Sequence, residues 1–230
     1  MLILTRADLE RVLAPRDVID ALAEAFRRHA AGRTSVPQRG VLPVGDNGML
    51  LVMPAVSRPA PGAQEAGGLG AKLVTYYPGN RERGRPTHLA SYVLMDHATG
   101  EPLALLEAAF MTALRTGATS ALAARHLARS DSRSLACFGT SVQAGWQLRC
   151  LAAIVPLERA VVLGRDQERA RAFAAAMAKE LGVAVEAGRD PRTAVSAADI
   201  VTCAPTSPTP LFAGADLRPG THVAAVGAFR

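Results

Sequence analysis

From residue 135 to the end of the chain, short apolar runs alternate with longer amphipathic ones, and no other feature of the sequence restricts the fold as tightly. Residues 135–138, 160–163, 183–186, 200–203 and 222–226 have the length and apolar character of buried strands. Residues 142–153, 166–181 with Gly182 as a stop, and the shorter 192–197 have the character of helices. Elements in this rhythm form right-handed βαβ units, which build a parallel sheet covered by helices on both faces.

The preceding part reads differently. Thr5, followed three residues later by Asp8, is a helix-capping pair, and Pro15-Arg16-Asp17 opens a second helix. Val18, Leu22, Ala25, Phe26 and His29 recur in it at helical spacing, and Gly32 ends it. From residue 36 to about 96, frequent Pro and Gly surround the apolar runs 49–53, 73–77 and 89–95, the pattern of an antiparallel or mixed sheet. Asp96-His97-Ala98-Thr99-Gly100 is a turn, and a helical stretch is expected from about 105 to 129, interrupted near Arg115-Thr116-Gly117. The fold class expected is α/β.

A chain of 230 residues with 49% hydrophobic content can bury one large core or two small ones. Met1-Leu2-Ile3-Leu4-Thr5 reaches Arg6 and Asp8 without the apolar stretch of about 7–15 residues that a secretory signal needs. No window approaches the run of about 18 apolar residues of a membrane helix. Cys137, Cys150 and Cys203 are odd in number, lie in apolar surroundings and read as buried thiols, so a cytoplasmic protein is expected. The net charge of +6 comes mainly from scattered arginines, with no basic block and no interleaved aromatics, which argues against nucleic acid and for a bias towards anionic ligands. His29, His97, His126 and His222 have no ligand spacing with Asp, Glu or Cys, so no metal is expected.

Between the strand at 135–138 and the helix at 142–153 lies Gly139-Thr140-Ser141-Val142-Gln143-Ala144. In a dinucleotide-binding turn the first Gly permits the bend, the second lets the backbone approach a pyrophosphate, and the third position must be small. Here Ser141 replaces the second Gly; its hydroxyl can itself donate to phosphate, beside the N–H groups of the helix start. NAD(P)H is therefore the expected cofactor, held by Gly139, Thr140, Ser141, Val142 and Gln143. At the end of the next strand the order is Leu163-Gly164-Arg165-Asp166. Arg165 can pair with a 2′-phosphate and favours NADPH, with NADH still possible; Asp166 is one position late for the ribose and serves equally as an N-cap.

Several further segments, in this order, resemble the ornithine cyclodeaminase/mu-crystallin family. They are Pro37-x-Arg39, Gly70-Ala71-Lys72, Pro78-Gly79-Asn80, Pro86-Thr87-His88-Leu89-Ala90-Ser91, Asp96-x-x-Thr99-Gly100-x-Pro102-Leu103-Ala104, Arg115-Thr116-Gly117-Ala118, the glycine turn, and Pro219-Gly220-Thr221-His222-Val223-Ala224-Ala225-Val226-Gly227. The resemblance runs nearly end to end. It implies a substrate-binding and dimerisation domain at 1–115, a Rossmann-like NAD(P)-binding domain at 116–230, and a homodimer. By it Arg39 and Arg115 hold a substrate carboxylate, which suits a bidentate guanidinium. Lys72 lies beside the reacting C=N carbon, as catalytic proton donor or carboxylate ligand. Ser91, Arg115, Thr116 and Gly227 are further candidates for cofactor contact, and His88 for a proton relay.

The resemblance covers ketimine reductases, ornithine cyclodeaminases, alanine dehydrogenases and non-catalytic proteins that bind NADPH and a small carboxylate. Cyclodeaminases carry an Asp in a Gly-x-Asp arrangement after the final Val-Gly; here Phe229 stands in that place. A Phe cannot move protons, so the expected activity is reduction of a cyclic ketimine, with cyclodeaminase or alanine dehydrogenase, and then a carrier, as alternatives. Relatives are expected to continue past residue 230, so the chain reads as truncated.

Overall fold

The computed structural model describes residues 1–62 and 67–227. In chain order the elements are β1 (Leu2–Leu4), α1 (Arg6–Val12), α2 (Pro15–Ala30), β2 (Thr34–Ser35), β3 (Gly40–Val44), β4 (Gly48–Ser57), β5 (Gly68–Tyr76), β6 (His88–Met95), β7 (Pro102–Glu107) and α3 (Ala108–Leu127). There follow β8 (Ser134–Phe138), α4 (Val142–Ala152), β9 (Arg159–Leu163), α5 (Gln167–Leu181), β10 (Ala184–Gly188), α6 (Pro191–Ser196), β11 (Ile200–Cys203) and β12 (His222–Ala225). They divide into two compact units: Met1–Ala14 with Ala23–Thr112, and Pro15–Leu22 with the chain from Ala113 onward.

The first unit is built on a mixed sheet in the order β1-β7-β6-β5-β4-β2, with β3 also on β4. All its pairings are antiparallel except that of β1 with β7. Thr5 and Asp8 cap α1 reciprocally, as their spacing predicts. The 96–100 turn closes on the Asp96 carboxylate, which accepts from the N–H groups of Ala98 (2.9 Å) and Thr99 (2.8 Å). One expectation fails: residues 102–107 are the strand β7, and α3 then runs through Arg115-Thr116-Gly117 without a break. The Glu107 carboxylate starts this helix by accepting from the N–H groups of Ala109 (2.9 Å) and Phe110 (3.0 Å). Gly117 is a packing residue, because a Cβ there would lie 2.4 Å from the Trp146 carbonyl oxygen of α4.

The second unit is a parallel sheet in the order β10-β9-β8-β11-β12. Every residue of β8 is buried, as a central strand demands. On one face Ala136, Phe138, Leu163 and Val201 pack with Ala194, Val195 and Ala198 around α6; α4 covers β8 and β11 on the other. α5 spans the predicted range, with Asp166 as N-cap and Gly182 at φ 65° as the left-handed stop. Cys137 and Cys150 are buried, and Cys203 is half-buried.

Candidate functional site

In the second unit the chain leaves β8 for β9 and β10 on one side and returns to β11 and β12 on the other. The order therefore reverses between β8 and β11, the place where open α/β sheets bind ligands beyond the carboxyl ends of their strands. Gly139 stands there at φ 113°, a conformation that favours glycine, with its N–H on the Leu163 carbonyl at 2.8 Å. Ala204-Pro205, after β11, closes the other side: a Cβ on Gly139 would touch Pro205 N at 3.5 Å, and one on Gly227 would collide with Pro205 O at 2.2 Å. Gly227 thus lets the exit of β12 press against the loop after β11.

Ser141 is the N-cap of α4, and its Oγ accepts from the Ala144 N–H at 3.4 Å. Its own hydroxyl proton stays available to an anion, as do the N–H groups of the first helical turn, which have no intrahelical acceptor. Val142, the first residue of this helix, is 70% exposed. The Gln143 amide is used within the fold, donating to the Ala113 carbonyl at 3.4 Å, and leaves the backbone as this residue's contribution to an anion site. Gly164 lets Thr140 sit close to the end of β9, since a Cβ there would be 3.0 Å from Thr140 Cγ2. Arg165 is exposed at the same strand end and makes no ion pair among the described residues. The Asp166 carboxylate is occupied as a cap, accepting from the N–H groups of Glu168 (3.0 Å) and Arg169 (3.1 Å). Arg169, one of the scattered arginines, donates to the Thr140 carbonyl at 3.3 Å. Its signal was the spacing of one helical turn from Arg165.

In the first unit Lys72 lies on β5, opposite Met53 of β4 and Tyr92 of β6. Residues paired across strands share a face, so Lys72, Val74, Met53, Leu51, Tyr92 and Leu106 all line one side of the sheet, here called the inner face. Lys72 is half-buried there, and its ammonium donates to the Thr112 hydroxyl of α3 at 3.4 Å. The chain has two lysines among 26 basic residues; the other, Lys179, is exposed on α5. Arg39 immediately precedes β3, whose Gly40 pairs with Val52. Arg39 itself lies outside the strand and is exposed. The strand that follows Arg39 and the strand that carries Lys72 flank β4, about 10 Å of backbone apart.

His88 shares this face, stacked on Tyr76 with ring centroids 4.6 Å apart, but stands four residues from the Lys72 row, about 13 Å away. Partial burial lowers its pKa. Ser91 pairs with Leu73 and faces the opposite, outer side. The structure therefore brings Lys72 and Tyr92 into one row and does not bring His88 or Ser91 to it. Arg115 and Thr116 lie in α3 beyond Thr112; desolvation lowers the Arg115 pKa, and the guanidinium keeps its charge at any working pH. Phe229 lies outside the described residues.

Among the described residues no group of three or more His, Cys, Asp or Glu side chains is placed to hold a metal ion, and no helix is long and apolar enough to cross a membrane. The sequence matches the ornithine cyclodeaminase/mu-crystallin family over residues 1–230. The chain belongs to that family. Within it, a Δ1-pyrroline-2-carboxylate reductase of Bacillus cereus is 35% identical over 231 residues, 100% of this chain and 69% of that protein. The structure of the Thermococcus litoralis Δ1-pyrroline-2-carboxylate reductase in complex with NADH and L-proline superposes with a TM-score of 0.89 at 38% identity, covering 99% of this chain and 69% of that one. An alanine dehydrogenase of Archaeoglobus fulgidus is 31% identical over 227 residues, 99% of this chain and 67% of that protein. For a member of the ornithine cyclodeaminase/mu-crystallin family, the turn at Gly139 fits a nicotinamide dinucleotide on its own geometry. It combines a positive-φ glycine, an exposed helix start at the switch point and a hydroxyl whose proton is free to donate.

Proposed function

We propose that this protein reduces a cyclic ketimine carboxylate, Δ1-pyrroline-2-carboxylate or Δ1-piperideine-2-carboxylate, to the cyclic L-amino acid. The observation that carries the reading is a half-buried ammonium at Lys72 on the inner face of the first unit, held to Thr112, in a chain 38% identical to a reductase of such a substrate. A guanidinium pairs with a carboxylate and keeps its proton, whereas an ammonium is able to release one. A bound reduced nicotinamide supplies a hydride to the imine carbon. The chain's own residues supply the rest: Lys72 gives the imine nitrogen its proton, Thr112 directs the ammonium, and Arg39 and Arg115 hold the carboxylate.

The Gly139 turn with the α4 start takes the cofactor's phosphates in this proposal, and Arg165 takes the 2′-phosphate of NADPH, since Asp166 is engaged as a cap and does not compete for the ribose. The same proposal divides the labour between substrate binding in 1–115 and nucleotide binding in 116–230. It also takes the protein to be a cytosolic homodimer. Leu42 (58% exposed), Leu73 (38%) and Leu89 (48%) lie together on the outer face around Ser91, an open apolar sheet that a second copy would cover. Free cysteines fit a reducing compartment.

Alanine dehydrogenation is the second reading, favoured by the 31% identity to the Archaeoglobus fulgidus enzyme. The test offers NADPH and NADH with each cyclic ketimine, with pyruvate plus ammonia, and with ornithine as the source of released ammonia. Oxidation of the nucleotide with a ketimine, and chiral identification of L-proline or its six-membered homologue, is the expected result. Turnover confined to pyruvate plus ammonia, or ammonia release from ornithine without ketimine reduction, would replace the proposal.

A further inference from the structure

A phenol without an assigned role stands beside Lys72. Tyr92 on β6 is directly opposite Lys72 on β5, so their Cβ atoms are about 5 Å apart on the inner face. The ring leans along the sheet over Gly70: a Cβ on Gly70 would lie 2.3 Å from the Tyr92 hydroxyl and 2.6 Å from Cζ. Gly70 is buried, and its missing side chain is the space the phenol fills. Along β6 the same-face neighbours are Ala90 and Leu94, and across on β7 the partner is Leu106, none of which offers a polar side chain. The Tyr92 hydroxyl makes no hydrogen bond among the described residues. A half-buried tyrosine normally finds a partner for its hydroxyl, because leaving it unmade is unfavourable. Burial raises this phenol's pKa, so near neutrality it is a donor.

We propose that Tyr92 is a substrate-binding residue, whose hydroxyl donates a hydrogen bond to the substrate carboxylate beside Lys72. The inference rests on the ketimine-reductase reading. Once the imine nitrogen has received a proton it has no lone pair to offer, so the acceptor left on such a substrate is its carboxylate. Gly70 and Tyr92 then act as one device: the glycine admits the ring, and the ring holds the donor over Gly70, the same-face neighbour of Lys72 along β5.

The test compares Tyr92→Phe, which keeps the ring and removes only the hydroxyl, with Gly70→Ala, which displaces the ring, and with the double variant. Two readouts are used: steady-state reduction of Δ1-pyrroline-2-carboxylate, and equilibrium binding of pyrrole-2-carboxylate, a flat non-reacting carboxylate. Tyr92→Phe is expected to raise the KM and weaken pyrrole-2-carboxylate binding by about 10- to 100-fold, the effect of losing a hydrogen bond to a charged group. The kcat and the affinity for reduced nucleotide should change little. Gly70→Ala should produce the same loss, and the double variant should add nothing to it. Tyr92→Phe with the KM and pyrrole-2-carboxylate affinity of the parent would make the ring a filler and overturn the inference. A parent protein that binds pyrrole-2-carboxylate without reducing any ketimine would overturn the proposed reaction instead, and Tyr92 would still be judged on the binding loss. A parent that binds neither would overturn both.

Discussion

Lys72 and Arg165 make the two residue-scale claims that separate chemistry from binding. Lys72 is the lysine of the inner face, held towards Thr112, and its role as proton donor predicts a loss of about 10²- to 10⁴-fold in kcat for Lys72→Ala with nucleotide binding retained. Arg165 is predicted to act on affinity alone. Arg165→Ala should raise the KM for NADPH by about tenfold or more, the worth of a charge-assisted pair, while leaving NADH unaffected. Equal effects on the two nucleotides, measured by steady-state kinetics, would move the 2′-phosphate to another residue, with Arg169 the next to test. Lys72 was singled out through the family resemblance, and Arg165 from its position after the strand that follows the glycine turn. That β3 and β5 flank one strand was not legible, because it depends on the pairing of β3 with β4 and β4 with β5, which no local pattern encodes. Tyr92 went unread for the same reason, since its partner Lys72 lies twenty positions away in the sequence and only the β5–β6 pairing sets them on one face.

From β8 onward the elements were predicted to within a residue or two, because their buried parallel strands are short apolar blocks with helix caps between them. β7 was misread for a physical reason: Pro102-Leu-Ala-Leu-Leu-Glu107 is apolar without alternation and runs straight into the Ala-rich start of α3. What makes it a strand is its pairing with β6 on one side and β1 on the other. Gly117 shows the same limit, since a glycine amid helical residues reads as a break until its neighbour is known. If it were a weak point of α3, Gly117→Ala would stabilise the protein by about 1 kcal/mol through helix propensity. A Cβ placed 2.4 Å from the Trp146 carbonyl predicts the reverse, a loss of about 1–3 kcal/mol in denaturant unfolding.

At the same scale, Asp199 ties the start of β11 to that of β8. Burial alone would raise its carboxyl pKa, but the N–H groups of Arg133 and Ser134, the Ser134 hydroxyl and the Arg129 guanidinium outweigh it and hold the group well below the usual carboxylate range. A carboxylate with a depressed folded-state pKa contributes stability that is complete above its unfolded value, about 4, and is lost as pH falls further. Thermal unfolding should therefore become easier for the parent below about pH 4. Asp199→Asn should already be destabilised at neutral pH and should show a smaller additional loss on acidification. An identical acid response in the two proteins would remove Asp199 from this role.

For the whole molecule, one unit is a parallel sheet with the glycine turn at its switch point, and the other is a mixed sheet with Lys72 on its inner face and exposed leucines on its outer face. The class of each half was readable from composition and rhythm, whereas the allotment of Pro15–Leu22 to the second unit was not, since α2 is one uninterrupted amphipathic helix in the sequence. The open outer face predicts a dimer in sedimentation velocity, and Leu73→Glu with Leu89→Glu should shift it to monomer by placing charge in an apolar interface. The measurement that bears most directly on the central claim is a single-turnover comparison of the parent and Lys72→Ala, each pre-loaded with NADPH and mixed with Δ1-pyrroline-2-carboxylate. The account predicts rapid nucleotide oxidation with formation of L-proline in the parent, and in the variant an intact nucleotide complex that oxidises at least about a hundredfold more slowly. Equal rates in the two proteins, or no oxidation by the parent with either cyclic ketimine, would contradict it.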